Sequence, residues 1–352
     1  AYFFMVRLFG DVPYYTEAYF ANPLPRTDKS VVLTNCLADL QSLLDNDPEG
    51  KILRWRNGNG SWRANRGSVL ALMMHINMWL AFFDTGNAQT YYSEVARLAE
   101  VDSWIDGTYY SLQSMEQMSN VFRGNSNEGL FEIVQNITMG EVFDTNNMWC
   151  TKVVYEVRNK TEAEFAYSEA FLTHLYPEET NDMRKEYWFK NLYREEGTGG
   201  SSSIRPVEII KLLNADEYKS TTIPNAGNYI VFRLADVILL YAEALNNLGE
   251  REKALQEVNR IRQRAGAPDF TMEDDLDASI YWERVRELMG EGQYYYDLVR
   301  TMKITDASFA VFSDDSGHRE TMANLKQGSW TWPIYKGALD NNPYMSKNIY
   351  WE

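Results

Sequence analysis

The 352-residue sequence carries 34 Lys and Arg against 50 Asp and Glu, and its net charge of −16 excludes charge-driven binding to nucleic acid or to anionic lipid. Hydrophobic residues make up 45% of the chain, enough for the core of one large domain or of two ordinary ones. Aromatic residues make up 14% of the chain. Those that are not needed for contacts between helices indicate a surface that binds flat or apolar ligand faces.

The first predicted elements are two helices separated by an extended loop. The sequence opens inside an apolar, helix-like stretch, so we expect a leading segment to be absent, and this helix ends near Phe9, before Gly10 and Pro13. Residues 11–30 are predicted to be extended. Over residues 30–44 the apolar positions recur at helical spacing, which predicts a helix that buries one face formed by Val31, Leu37, Leu40 and Leu44.

A helical hairpin is predicted for residues 68–102. Its two helices cover about 68–83 and 91–102, and the turn-forming residues 84–87 separate them. A loop over 51–66 precedes the hairpin. No uninterrupted apolar run of about 18 residues indicates a transmembrane helix.

The middle of the chain is irregular. Residues 130–134 predict a short strand, and 140–205 show mixed patterns. The Gly- and Ser-rich stretch 197–203 predicts a flexible loop, which is too short to establish a domain boundary.

The clearest pattern lies at 232–265 and predicts a second helical hairpin. Its two helices are separated by Gly249, a residue typical of helix ends, and are marked by Ala235, Ile238, Leu239, Ala242 and Leu245, then by Ala254, Val258 and Ile261. A third pair is predicted at about 280–289 and 294–302. The spacing is typical of tetratricopeptide-like hairpins. The predicted fold is mainly α, with such hairpins packed against an irregular, loop-rich region that contains short strands.

Cysteine and histidine give no sign of a metal site. Cys36 and Cys150 are too few for a disulfide scaffold, and the sequence leaves open whether they form one bridge. His75, His174 and His318 lack the spacing of metal ligands and are interpreted as surface or packing residues.

Acidic residues suggest two other kinds of site. The acidic pairs at 274–275 and 314–315 are candidate calcium ligands, although isolated pairs of this kind are usually solvated, and no cofactor is predicted. A catalytic constellation can be imagined from charged residues near the hairpins, but we interpret them as ion pairs that fix the helix register: Arg233, Asp236, Glu243, Glu283, Arg286 and Arg300.

Several segments, in order along nearly the whole chain, resemble the SusD/RagB family. They are 6–13 near the start, Phe232 to Asn246 (FRLADVILLYAEALN), 258–266, 283–288 with 292–300, and Trp332-Pro333-Ile334 with Asn342-Pro343. The chain departs from the family pattern at Met289-Gly290, at Gln293 and in the tail 347–350. We expect these departures to lie in the structural frame and not to bear on the choice of ligand.

The resemblance implies a single domain over 1–352. Its helical repeat scaffold would cover about 1–102 and 232–302, with a ligand-facing insert at about 103–231 and a C-terminal segment at 303–352. The implied function is that of a non-enzymatic surface protein that captures oligosaccharide for a SusC-like TonB-dependent outer-membrane barrel. The implied location is the extracellular face of the outer membrane, where an N-terminal lipid anchor outside this chain would hold the protein.

Two stretches carry the residues expected to bind a glycan. Trp55 and Trp62 flank Asn57 on a glycine-containing loop, although these rings can also pin the loop to the protein body. The resemblance favours the second stretch, where the candidates are Asn147, Trp149, Tyr155, Trp188 and Tyr193. Aromatic rings can stack on the C–H face of a sugar while amides bind its hydroxyls. Arg184 is interpreted as scaffold, and Trp330 and Trp332 as buried packing.

Three other functions compete with glycan capture. A branch of the same family binds peptide, which would use backbone pairing in place of aromatic surfaces. A helical glycoside hydrolase would need two carboxylates about 5–10 Å apart in an aromatic cleft. A tetratricopeptide adaptor for protein tails would not need the long aromatic-rich insert.

Overall fold

The computed structural model describes residues 1–55, 60–136, 139, 167–193, 207–212, 227–310 and 320–352. The α-helices among these residues are α1 Tyr2–Phe9, α2 Lys29–Asp45, α3 Arg66–Phe83, α4 Ala88–Glu100, α5 Met118–Arg123, α6 Glu169–Leu175, α7 Arg184–Tyr187, α8 Leu234–Asn247, α9 Arg251–Arg264, α10 Leu276–Glu287, α11 Tyr294–Arg300, α12 Met322–Gln327 and α13 Lys336–Asn341.

The strands are short and pair two by two. They are β1 Val12–Pro13, β2 Arg26–Thr27, β3 Gly129–Ile133, β4 Phe189–Lys190, β5 Glu208–Ile209 and β6 Tyr229–Arg233. Each of the pairs β1–β2, β3–β6 and β4–β5 is antiparallel. The pairing of β3 with β6 joins the start of the irregular insert to its end, directly before α8. The predicted fold class, helical hairpins with short strands, is confirmed.

The first helix ends where the sequence predicts. Gly10 follows α1 with a φ of 71°, a left-handed backbone that glycine adopts without steric cost. The second helix begins after Asp28, whose carboxylate accepts hydrogen bonds from the backbone N–H of Ser30 and Val31. Its buried face differs from the prediction, because Val31 is 48% exposed while Val32 and Leu33 are fully buried.

The first predicted hairpin is formed by α3 and α4. A reciprocal cap begins α3, because the Asn65 side chain accepts from the Ser68 N–H and the Ser68 hydroxyl accepts from the Asn65 N–H. By length and composition α3 could cross a bilayer, although polar residues such as His75 and Asn77 interrupt its apolar sequence. However, 78% of its apolar window is buried inside the protein, which explains the apolar character of this helix.

The second hairpin is formed by α8 and α9, as the spacing predicts. Gly249 lies between them with a φ of 83°, and α8 also packs against α4 and α10. The third predicted pair is α10 and α11. Because α8 packs against helices on several sides, its residues from Leu234 to Leu245 are buried.

Two apolar clusters fill the interior, and α3 contributes to both. Leu70 and Met74 belong to the first cluster, with residues of α4, α8 and α9. Ile76 and Trp79 belong to the second, with residues of α1, α2, α10 and α11. Trp188 and Ile209 from the insert also enter the second cluster. The described part of the insert is therefore packed on the helical scaffold.

Buried ion pairs hold the elements in register, as the charged residues near the hairpins predict. Arg300 contacts the Glu243 carboxylate at 2.6 Å, and Arg284 contacts Asp236 at 2.9 Å and Asp297 at 3.2 Å. Asp236 also lies 2.7 Å from Nε2 of His75, which is buried. These pairs fasten α8 to α3, α10 and α11.

A second buried network joins the insert to α10. Arg184 contacts Glu283 at 2.7 Å, and Arg233 contacts Glu287 at 2.7 Å and Glu291 at 2.6 Å. Arg286 and Glu283 pair three residues apart on α10, as predicted. The interpretation of Arg184, Arg233, Asp236, Glu243 and Arg300 as structural charges is confirmed by their burial and their partners. The one-domain organisation over 1–352 stays a prediction.

The C-terminal segment is fastened to the N-terminal one. The Trp332 N–H donates to the Leu8 carbonyl at 2.7 Å. The Arg26 guanidinium donates to the Ser346 carbonyl at 2.9 Å, and the Asn342 amide donates to the Leu24 carbonyl at 2.8 Å. These bonds form a terminal clasp between residues 8–26 and 332–348.

Candidate functional site

A cleft of about 700 Å³ opens beside the first helix. One wall is formed by Phe4, Arg7 and Leu8 of α1, and another by the turn that follows α10 and the first turn of α11. Tyr167, which lies just before α6, Tyr229 and Val231 of β6, and Trp332 complete the lining. Five segments that are distant in sequence therefore meet around one concave surface, the aromatic cleft.

The turn between α10 and α11 shapes one side of the aromatic cleft. Gly290 and Gly292 have φ values of 79° and 77°, so the chain reverses there through conformations that favour glycine. Three consecutive tyrosines follow, and all of them line the cleft: Tyr294, Tyr295 and Tyr296. Because successive helical positions point in different directions, the three rings make different contacts.

The three tyrosines have distinct partners. The Tyr295 hydroxyl donates to the Trp330 carbonyl at 2.8 Å, and the Tyr296 ring lies 3.8 Å from the Arg7 guanidinium carbon. The Tyr294 hydroxyl is buried without a hydrogen-bond partner. Burial raises the pKa of Tyr294 to about 12 and that of Tyr295 to about 12, so both hydroxyls stay protonated at neutral pH.

The rim of the cleft exposes flat apolar surface. Trp332 is 58% exposed and Phe4 is 37% exposed. The prediction that Trp332 is buried packing is therefore wrong, because only its backbone is fixed, through the bond to Leu8. Trp330 is buried against Trp79 and Phe83, as predicted.

One carboxylate lies in the cleft wall, and it is already paired. Glu291 accepts from Arg233 at 2.6 Å and from Lys211 at 2.5 Å. Burial lowers the pKa of Lys211 to about 8, against the opposite effect of the Glu291 charge. The described lining thus offers aromatic faces and a few polar groups. This arrangement is typical of small-molecule sites, in which the rings contact apolar faces of the ligand and the polar groups orient it.

The first predicted stretch is only partly in a position to bind ligand. Trp55 stacks on Tyr109 with a centroid distance of 4.4 Å and packs against the first apolar cluster, so one face of its ring is covered. Trp62 is 46% exposed and keeps free ring surface. Asn57 lies outside the described residues. Neither tryptophan lines the aromatic cleft, and ligand binding at this loop stays a prediction.

The second predicted stretch loses one candidate. Trp188 is 1% exposed, with the Lys211 ammonium 4.3 Å from its ring, so a fully buried indole cannot present a face to a sugar and this prediction is wrong. Tyr193 is half-buried, and its hydroxyl donates to the Tyr176 carbonyl at 2.7 Å. Asn147, Trp149 and Tyr155 lie outside the described residues, and their roles stay predictions.

The metal-binding candidates have structural partners where they are described. Asp274 accepts from the Thr271 N–H at 2.6 Å, and Asp275 accepts from the Ala278 N–H and caps α10. The second acidic pair, 314–315, is outside the described residues. Within the described ranges no group of three or more His, Cys, Asp or Glu side chains could hold a metal ion. Cys36 is a half-buried free thiol, and Cys150 lies outside the described residues.

The sequence patterns did not predict the aromatic cleft. Arg7, a polar residue of the cleft, lies in an apolar helix, and nothing in the sequence distinguishes it from an ordinary surface arginine. A usable signal was the run Tyr294–Tyr296 after two glycines, because three adjacent rings cannot all face one core. The spacing gave no indication that α1 and Trp332 meet that run.

Comparisons with known proteins agree with the observed fold. The SusD family model matches residues 78–351. A SusD homolog from Bacteroides thetaiotaomicron has a similar structure, with a TM-score of 0.87 and 46% identity over 100% of this chain and 74% of that one. A surface glycan-binding protein A from Bacteroides uniformis shares the fold, with a TM-score of 0.68 and 19% identity over 99% of this chain and 75% of its own.

Curated relatives point the same way. SusD-like protein P38 of Formosa agariphila is 23% identical over 99% of this chain and 71% of its own length. SusD-like protein P25 of the same organism is 27% identical over 85% of this chain, which spans 61% of that relative. Because the family match covers well over half of the sequence, the chain belongs to the SusD family.

Proposed function

We propose that this protein captures oligosaccharide at the bacterial cell surface and delivers it to a partner TonB-dependent outer-membrane transporter. The aromatic cleft carries the proposal, because it combines exposed rings at Trp332 and Phe4 with buried polar groups in a chain of the SusD family. The structurally similar Bacteroides uniformis protein is a surface glycan-binding protein, which supports the same class of ligand.

The proposed mechanism is capture without bond cleavage. Sugar rings would lie with their C–H faces on the exposed indole and phenyl rings, while the polar groups bind hydroxyls. Glycoside hydrolysis needs two carboxylates across a cleft, and the one carboxylate in the described lining is held by Arg233 and Lys211. We place the protein on the extracellular face of the outer membrane, where a lipid anchor would hold it.

Binding measurements with paired variants test the ligand class. We expect Trp332→Ala to weaken oligosaccharide binding by about tenfold, because a lost stacking platform is worth on the order of 1–2 kcal/mol. Tyr344→Ala is the matched control, since Tyr344 is 60% exposed but does not line the cleft. Isothermal titration with the oligosaccharides that a glycan array identifies gives both affinities.

The same assay separates the competing functions. Binding of peptides without any glycan binding would favour the peptide-binding branch of the family, and release of shorter sugars from a bound glycan would establish a hydrolase. Equal losses for Trp332→Ala and Tyr344→Ala would remove the aromatic cleft as the binding site. Co-purification of the lipidated full-length protein with an outer-membrane barrel tests the proposed partner and location.

A further inference from the structure

We propose that the aromatic cleft selects sugars that carry a carboxylate, and that Arg7 binds this carboxylate at the cleft floor. This inference rests on the proposed function, because it names the chemical class of glycan that the same site would take. It is carried by the environment of Arg7, which differs from that of every other buried arginine in the described part of the chain.

Arg7 is held between aromatic rings. It is 3% exposed, and its guanidinium carbon lies 3.8 Å from the Tyr296 ring centroid, 4.6 Å from that of Phe4 and 4.9 Å from that of Phe3. Phe3 and Phe4 precede Arg7 by four and three positions on α1, so the helix places all three side chains together. Cation–π contacts of this kind stabilise the faces of the guanidinium plane.

The donors in that plane are only partly satisfied. Nη1 donates to the Gln293 side-chain oxygen over a long 3.3 Å. Nε is buried without a partner. A buried charged donor without an acceptor is costly, so Arg7 keeps the capacity to bind a further acceptor.

The other buried arginines show what Arg7 lacks. Arg184, Arg233, Arg284 and Arg300 are each at most 6% exposed, and each contacts at least one carboxylate. No described carboxylate forms an ion pair with Arg7. A carboxylate on a ligand would therefore supply Arg7 with the kind of partner that each of the other buried arginines has within the protein.

The carboxylates near the cleft are not free to take this role. Glu291 is bound by Arg233 and Lys211, and Asp297 is bound by Arg284 and Arg300. Asp236 and Asp297 act on Arg7 only at longer range, where they oppose the effect of burial, which lowers the pKa of Arg7. The cleft floor therefore presents a cation with unused donors.

A sugar acid fits the remaining chemistry of the cleft. A carboxylate is planar and matches the planar fork of guanidinium donors, and such pairs are among the stronger hydrogen-bonded contacts. The rest of the sugar ring would lie among the tyrosine and tryptophan rings. The buried hydroxyl of Tyr294 has no hydrogen-bond partner, so it can form a hydrogen bond with a hydroxyl group of the sugar.

A glycan array with matched pairs tests the inference on the unaltered chain. The array contains neutral, sulfated and uronate oligosaccharides, with tetragalacturonate and tetramannuronate each beside its methyl ester. We expect a uronate to bind at least about tenfold more tightly than its own ester, because esterification removes the charge and leaves the sugar skeleton intact. This comparison needs no variant, so it holds even if a substitution at Arg7 prevents folding.

Two variants then assign the preference to Arg7. We expect Arg7→Gln to abolish the tenfold preference and Arg7→Lys to keep part of it, because lysine keeps the charge but loses the fork. Arg54→Gln is the matched control, since Arg54 is an exposed arginine outside the cleft. Thermal unfolding of each variant shows that the fold is retained.

The outcomes separate this inference from the function on which it rests. Equal binding of uronates and their esters, stronger binding of sulfated glycans, or an unchanged preference in folded Arg7→Gln would overturn the inference and leave glycan capture standing. Failure of every glycan to bind would overturn both.

Discussion

At the scale of single residues, most of the described buried charges form ion pairs, whereas Arg7 does not. Glu283 contacts Arg184, Arg262 and Arg286, and this cluster fixes the insert to α10. The sequence predicted that such residues are structural, because charges three or four positions apart on a helix lie on one face. It could not predict their partners from other segments, nor that Arg7 has no carboxylate partner among the described residues, because both depend on tertiary contacts.

The Glu283 cluster makes stability depend on pH in a defined window. Burial alone would raise the pKa of Glu283, but Arg184, Arg286 and Arg262 together lower it to about 2. The pKa in the native state is thus below the ordinary value of 4.5. The unfolded chain binds the proton first, so the stabilisation is present above about pH 4.5 and is lost as the pH falls towards 2.

We predict that Glu283→Gln lowers the free energy of unfolding by about 3–5 kcal/mol at pH 7, because it leaves buried arginines without their partner. The difference from the unaltered protein should narrow as the pH falls from about 4.5 to about 2. Urea unfolding at a series of pH values measures this difference in the free energy of unfolding. Glu49→Gln is the control, because Glu49 forms an exposed ion pair with Lys51. If the difference in free energy of unfolding stays constant with pH, Glu283 is not the group whose lowered pKa makes stability depend on pH.

At the scale of elements, the hairpins were the most predictable part of the fold. Helices α3, α4, α8 and α9 lie within a few residues of their predicted bounds, because long apolar periodicity and the breaker Gly249 mark them. The buried face of α2 was predicted wrongly at Val31. This helix has apolar residues at both Val31 and the next two positions, so periodicity alone could not choose between them.

We predict that Gly249→Ala destabilises the protein by about 1 kcal/mol through backbone strain alone. Its φ is 83°, and a Cβ added there would meet no atom within 4 Å, so no packing gain offsets the left-handed conformation. Gly86→Ala in the turn of the other hairpin has no such φ and should change stability by less than about 0.5 kcal/mol. Chemical denaturation of both variants measures the difference, and equal effects would contradict the strain argument.

At the scale of the whole molecule, α3 links the two apolar clusters. The fold class followed from the hairpin pattern and from the family resemblance, whereas the aromatic cleft did not. It is assembled from α1, β6, the turn before α11 and Trp332, and no local pattern reports contact between segments so far apart. Of the predicted binding residues, Trp188 was wrong because an aromatic residue in an irregular segment has the same sequence signature whether exposed or buried.

We predict that the described scaffold unfolds in one transition. Leu70 of α3 lies in the first cluster and Trp79 in the second, so loss of either cluster removes a side of the same helix. Unfolding curves from circular dichroism, which follows the helices, should coincide with those from tryptophan fluorescence, which follows Trp104 in one cluster and Trp79 in the other. Two separated transitions would show that the clusters unfold independently.

The terminal clasp has a mechanical consequence. Its bonds, such as those from Arg26 to Ser346 and from Trp332 to Leu8, join the two ends of the chain outside the apolar clusters. Tension applied in an optical trap between Tyr19 and Tyr344, two exposed residues of the clasped segments, would load these bonds before it loads the paired helices. The clasp would then rupture at low force as a separate early step, and the helical body would still be folded when it opens.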